Sequence, residues 1–470
     1  MLPSQSSNHA SSPKPPPCRY GSSCYRKHPQ HFKEFSHPKG DEMARKHGHG
    51  NHTSTSSADI GPNIESQPGA SETLDPPPSP KRACSVKPAS SQSQPVSDTF
   101  SSPHGYYLTK IPDLPSLANI GCLSLSDILA WNHTELIRTL HFNFMVELDW
   151  LIAQFPDNSG KTLHMDLVVG EKQGTDWLTV REDVEVLKLG TVVKVHRALL
   201  NMAYGTHHTK MSMFEYKTGI RIMISTANLI ERDWTMKTQG LYLTPMLLKC
   251  KNSRSAPDST TNFRADLLSY LKVYGNSVPK HWLETIQLCD FSSVRVHLIA
   301  SVPGRHTGTN VHSFGYLRLK HLLGKNAVAL DDAKQDMESI VFGQFSSIGS
   351  LGTKPDAWLI SQFHSALCAT QPEPATANNN STRLLLSAQR FPTLNLLYPC
   401  VEDVRNSFEG YEGGGSLPYR QATASKQPYL LEQMHKWVAN ERKRTRCIPH
   451  IKCYGRLTPD QQGKLASSDD

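Results

Sequence analysis

Apolar residues are spaced differently in the two ends of the chain. From Asp41 to about Pro103, Ser, Pro, Thr, Gln and Asn dominate and aliphatic clusters are almost absent. Such a stretch buries too little surface to offset its ordering entropy, which predicts a flexible linker over 41–103. From Gly105 onward, short β-branched runs bounded by polar or Gly residues appear. Asp166–Glu171, Thr191–Leu199 and Ile220–Thr226 read as buried strands, and Val294–Gly304 as another, ended by Pro-Gly. DLLSYLKVYG, HWLETIQLC, DAWLISQFHSAL and YLLEQMHKWVANERKR carry helical periods. Strands alternating with helices predict an α/β architecture. The stretch is too long for one simple core, so two lobes are expected, over 104–295 and 296–470.

Composition narrows the setting. Hydrophobic residues make up 37% of the 470, and the deficit lies mainly at the front. No apolar run approaches the length of a membrane-spanning helix, which rules out a membrane partner of that kind. The opening MLPSQSSNHASSPK has no apolar core and is not a secretory signal. Ten Cys at irregular spacing predict a reducing compartment, with thiols free or bound to metal. The net charge of +8 suits a polyanionic partner without requiring one. Within the linker, Pro76–Arg82 (PPPSPKR) reads either as a solvated turn or as a phosphorylatable site beside a weak nuclear-targeting signal.

Ahead of the linker, a dense block over 14–40 holds Cys18, Cys24, His31 and His37, spaced C-x5-C-x6-H-x5-H. Two thiolates and two imidazoles suit tetrahedral zinc. So few residues cannot build a hydrophobic core, so metal would supply the folding free energy. His28 is a spare imidazole whose spacing fits less well; a His-rich tail binding metal loosely is the other reading. The text Cys-x-Tyr-Gly-x-x-Cys-Tyr-Arg-Lys, followed by Phe-Ser-His-Pro, resembles the poly(ADP-ribose)-binding (PBZ) zinc finger family. It departs at His28, where the family usually has Asn. The resemblance implies that Tyr20, Tyr25 and Arg26 contact ADP-ribose. Tyrosines can stack on adenine and Arg can pair with pyrophosphate. Residues 1–40 carry six basic side chains and one acidic, so positive charge sits where a polyanion would bind.

The main body carries two His-x-Lys pairs, His208/Lys210 in YGTHHTKM and His450/Lys452 in IPHIKCY. Asn228 follows in STANLIERDW, 18 residues after Lys210. One such pair means little, and a lone His is usually structural. Two pairs with a downstream Asn resemble the phospholipase D superfamily, whose halves each give a His-x-Lys to one central site. That superfamily mostly has Asp five residues after the Lys. Glu215 and Leu457 stand there, which points away from ordinary phospholipases and to the tyrosyl-DNA phosphodiesterase branch. FNFMVELDWL, KTQG, FRADLLSYL, QFSSIGSLG and YPCVEDVRNSFEGYEGGGSLPY strengthen that resemblance.

The branch implies a hydrolase acting on the phosphodiester between a DNA 3′ end and a tyrosine, chiefly one left by topoisomerase I. His208 would attack phosphorus, giving a phosphohistidine. His450 would protonate the departing tyrosine oxygen and then activate water. Lys210, Lys452 and Asn228 would hold the non-bridging oxygens. No metal is expected there, because lysines supply the charge; zinc belongs to the finger alone. Gln239 resembles a partner that orients the other lobe's His. Ser347, Ser350, Ser416 and Lys426 would contact the DNA backbone. Phe144 and Tyr204 match base-stacking positions, although each alone reads more readily as core. A monomer acting in the nucleus on single- or double-stranded DNA, and recruited by poly(ADP-ribose), is expected.

One expectation runs against activity. Only 18 residues follow Lys452, and CYGRLTPDQQGKLASSDD shows neither a strand pattern nor a second Ser-x-Asn-Leu. The second lobe is therefore expected to be incomplete, with impaired catalysis and reduced stability. The competing reading is a non-catalytic protein that binds poly(ADP-ribose) and DNA ends.

Overall fold

The computed structural model describes residues 102–171, 176–200, 202, 205–327, 340–371 and 392–457, together with Ser36. The finger ligands, the ADP-ribose contacts, nearly all of the linker and Tyr204 lie outside the described residues.

The first sheet is built from β1 (Tyr106–Thr109), β2 (Cys122–Leu123), β3 (Leu136–Asn143), β4 (His164–Val169), β5 (Val193–Arg197), β6 (Met211–Tyr216), β7 (Gly219–Ser225), β8 (Gly240–Leu243) and β9 (Leu247–Leu248). Its order is β2-β1-β8-β7-β6-β3-β4-β5, with β9 also on β7. Both faces are covered, which explains the near-continuous apolar runs of its central strands. The pleat divides each strand between two cores. In β6, Phe214 and Tyr216 join a core that includes Leu151, Val180 and Trp234. Met211 and Met213 join the opposite core, with Phe263, Leu267 and Trp282. The helices Phe263–Val273 and Lys280–Leu288 supply that second layer. Trp282 is fully buried, and its indole N–H donates to Asp166 on β4 at 3.2 Å.

A smaller sheet follows, from β10 (Ile340–Gln344), β11 (Thr393–Leu397), β12 (Met434–His435) and β13 (Cys453–Leu457), in the order β12-β11-β10-β13. Its pairing repeats half of the first sheet. There β3 is antiparallel to β6 and parallel to β4, which is parallel to β5. Here β10 is antiparallel to β13 and parallel to β11, which is parallel to β12. Lys210 immediately precedes β6 and Lys452 immediately precedes β13. The two His-x-Lys pairs thus enter equivalent strands at equivalent places.

The α/β class holds, but three local expectations are corrected. Val294–Gly304 forms no strand. Its alternating Val296, Leu298, Ala300 and Val302 do pack on the core, as extended chain without a ladder partner. Tyr429–Arg444 is not a helix. A 3-10 turn at Pro428–Gln433 leads into β12, which pairs with the edge of β11. Further on, Arg444 is drawn inward to donate to the Thr109 carbonyl at 2.8 Å. Tertiary pairing outweighs helical period there. The residues after Lys452, polar as they are, form β13, because β10 offers a free edge for the ladder. DAWLISQFHSAL does become helical, as a π turn at Leu359–His364 running into Ser365–Leu367.

Candidate active site

His208 precedes β6, and the residue is exposed at the cleft while its ring contacts are part-buried. The Lys210 ammonium lies 3.3 Å from its Nδ1 and 3.5 Å from its Nε2. The Phe144 ring flanks the imidazole, with centroids 4.8 Å apart. Crowding by protein, reinforced by the charges of Lys210 and Lys452, holds His208 well below an ordinary imidazole pKa. It is therefore neutral, with a lone pair, at physiological pH. That Lys452 and His450 both act on His208 places the two motifs around one centre. A cavity of about 500 Å³ opens beside His208 and Lys210, bounded by Leu199, Tyr270, Tyr274, Ile299 and Val302.

Lys210 is buried, and burial with the neighbouring Lys452 lowers its pKa to about 7. Lys452 is lowered to about 8, mainly by burial, against the pull of Asp233. Two ammonium groups that crowd each other would gain from an anion placed between them. Lys452 also donates to the carbonyl of His450 at 2.5 Å.

His450 is placed by the segment after β7. Thr238 and Pro449 form a parallel bridge, and the backbone N–H groups of His450 and Ile451 donate to the Thr238 carbonyl. The buried Gln239 amide then lies 2.8 Å from His450 Nδ1, while its oxygen accepts from Thr226. Asp233 Oδ2 stands 3.2 Å from the same Nδ1. The imidazole has a donor for its neutral state and a carboxylate for its charged one. Burial lowers the His450 pKa, and Asp233 opposes that. Burial would raise the Asp233 pKa, but His450, Lys237 and the Asn228 amide outweigh it and hold the carboxyl ionised. Asn228 donates both its backbone N–H, at 2.7 Å, and its side-chain amide, at 2.8 Å, to Asp233. Its second amide hydrogen remains for another acceptor.

The Ser and Lys positions fall on three neighbouring loops. Ser347, Ser350 and Lys426 are exposed and Ser416 is half-buried. The Ile348 N–H donates to the Pro418 carbonyl, joining the first loop to the one bearing Ser416. Gln427 accepts from the Leu351 N–H at 2.9 Å and donates to the Gly349 carbonyl at 3.1 Å, joining it to Lys426. Gln427 is 1% exposed, and losing its amide removes the partner of two backbone groups, those of half-buried Leu351 and exposed Gly349. Gln427→Ala should cost about 1–2 kcal/mol, because water can take up part of what the amide held. A thermal melt will show the loss, and the KM for DNA will rise with it; an unchanged melt would remove the clamp from the description.

A model described as tyrosyl-DNA phosphodiesterase matches residues 105–467. The chain belongs to the tyrosyl-DNA phosphodiesterase family. A PBZ domain model matches residues 16–40. Among curated relatives, tyrosyl-DNA phosphodiesterase 1 of Drosophila melanogaster is 30% identical over 95% of this chain and 84% of its own. A probable tyrosyl-DNA phosphodiesterase of Caenorhabditis elegans is 35% identical, over 83% of this chain and 79% of its own. The yeast tyrosyl-DNA phosphodiesterase crystal structure covers 76% of this chain and 81% of its own, with a TM-score of 0.54 at 16% identity, and supports the fold. As a member of this family the chain is a phosphodiesterase.

Of the site residues expected within the described part, the two His-x-Lys pairs, Asn228, Gln239 and Phe144 gather at the cleft. The Phe144 ring lies tilted at 44° against the His208 ring. Sequence reading missed Asp233 and Lys237, although both lie within the quoted STANLIERDW and KTQG text. It also missed Gln427, which a polar residue next to Lys426 gave no reason to single out. Among the described residues, no group of three or more His, Cys, Asp or Glu is arranged to hold a metal ion.

Proposed function

We propose that the chain hydrolyses the bond between a DNA 3′-phosphate and a tyrosine, of the kind topoisomerase I leaves, through a covalent phosphohistidine. The observation that carries this is the pairing of a neutral, accessible His208 with a buttressed His450 across one pair of lysines. A ring nitrogen of His208 attacks phosphorus, and the P–O bond to the tyrosine breaks. His450 passes its Nε2 proton to the departing phenolate, whose pKa near 10 makes only modest acid help necessary. Lys210, Lys452 and the free Asn228 amide hydrogen hold the non-bridging oxygens as charge spreads over them. Water then attacks from the His450 side. His450 takes its proton, the N–P bond breaks, and DNA leaves with a 3′-phosphate. Ser347, Ser350, Ser416 and Lys426 track the DNA backbone. A single-turnover reaction on a 3′-phosphotyrosyl oligonucleotide tests the reading. Release of tyrosine with a 3′-phosphate end supports it, and tight binding without cleavage favours an end-binding role instead.

The finger would act as a recruiting module. Cys18, Cys24, His31 and His37 offer a thiolate and imidazole set that suits zinc, which would hold the finger's fold. Tyr20, Tyr25 and Arg26 would then grip ADP-ribose. Work in the nucleus at DNA breaks, where poly(ADP-ribose) is made, follows from that pairing, with the linker raising the local concentration of the catalytic part. Cys18→Ser should reduce poly(ADP-ribose) binding to background in a filter assay and leave cleavage of a free oligonucleotide within about twofold, the two modules being energetically separate. Equal loss of both would contradict the modular arrangement.

A further inference from the structure

Asp233 serves His450 on one side and meets Lys237 on the other, at 3.7 Å. Lys237 also donates to Glu409 Oε1 at 2.7 Å. Arg232 reaches the same oxygen at 2.9 Å and continues to Glu412 at 3.2 Å, near solvent. Alternating charges thus run without a gap from His450 to the surface. The side chains of Lys237, Asp233 and Glu409 are 4%, 2% and 1% exposed, so water screens these contacts weakly. Buried charges of this kind are sustained only by their partners. Glu409 also stands at the start of the 3-10 turn Gly410–Ser416. Its Oε2 is buried without a hydrogen-bond partner and lies against Gly413, where an added Cβ would come within 3.5 Å of it. The carboxylate therefore bridges Lys237 and the loop that carries Ser416.

We infer that Glu409 is a positioning residue for the reaction: it neutralises Lys237, frees Asp233 to serve His450, and ties that support to the Ser416 loop. The inference rests on His450 as the proton donor. His450 is faced by Asp233, Lys237 and Gln239 from the segment after β7, by Lys452 beside it, and by His208 across the cleft. Glu409 is faced by Lys237, Arg232 and the Cys447 thiol. Removing its charge leaves Lys237 uncompensated. Lys237 then claims Asp233 and adds positive charge near His450, which favours the unprotonated imidazole.

The test is the pH dependence of single-turnover cleavage for the full chain carrying Glu409→Gln, Glu409→Asp, Glu409→Gln with Lys237→Met, and His450→Gln. In E409Q the basic limb of the profile should move down by at least about 0.5 pH unit, the scale expected for one nearby charge. Glu409→Asp should keep most of the native limb, and the double substitution should move it back, because both charges have gone. A rate loss in E409Q with unmoved limbs, or a double variant no better than the single one, overturns the inference while His450 keeps its role. A basic limb that survives His450→Gln would instead overturn the wider reading of the site.

Discussion

Replacing His208 with alanine should lower single-turnover cleavage of a 3′-phosphotyrosyl oligonucleotide by at least about 10⁴-fold, the scale seen when a nucleophile is removed. The residue is exposed and its ring packs against Phe144, so its loss opens space at the cleft and leaves both cores untouched. DNA binding should therefore persist within a few fold. Quench-flow with wild-type and variant protein measures the rate, and fluorescence anisotropy measures binding. A variant that retains more than a tenth of the native rate would mean that phosphorus is attacked by something other than His208.

His450→Gln should separate the two half-reactions. The first releases a phenolate, which leaves with little help, so formation of the covalent adduct should slow by only about 10–100-fold, at or below the low end for general acid catalysis. The second needs a base to activate water, the part proposed for His450. Its rate should fall by about 10³-fold or more. The DNA-bound protein will then accumulate. A denaturing gel should show a covalent species that acid releases, as befits an N–P bond, and that alkali leaves intact. Absence of the adduct in both H450Q and wild type, with cleavage still proceeding, would argue for direct attack by water.

Legibility tracked how local the determinant was. The strands at His164–Val169 and Gly219–Ser225 were readable because alternation and β-branching are written in consecutive residues. The alternation in Val294–Gly304 was equally readable, but pairing depends on a neighbour that no local pattern names. Tyr429–Arg444 carries helical spacing and is bent to another course by the edge of β11 and by the Thr109 carbonyl, the latter 335 residues from Arg444. The site divides in the same way. His-x-Lys text and the Asn are compact signals. Asp233, Lys237 and Glu409 matter through contacts that only folding brings about, and in sequence they are ordinary acids and a lysine.

The repeated pairing of β5-β4-β3-β6 in β12-β11-β10-β13 gives the two histidines matching backbone settings. The different roles proposed for them would then come from outside the repeat. The segment from Asp233 to Gln239 crosses from the first sheet to lend His450 a carboxylate and an amide. No described carboxylate stands beside His208. The strap gives His450 a support that no described carboxylate gives His208, and moving its partners to the other histidine would test the proposed division between donor and attacker.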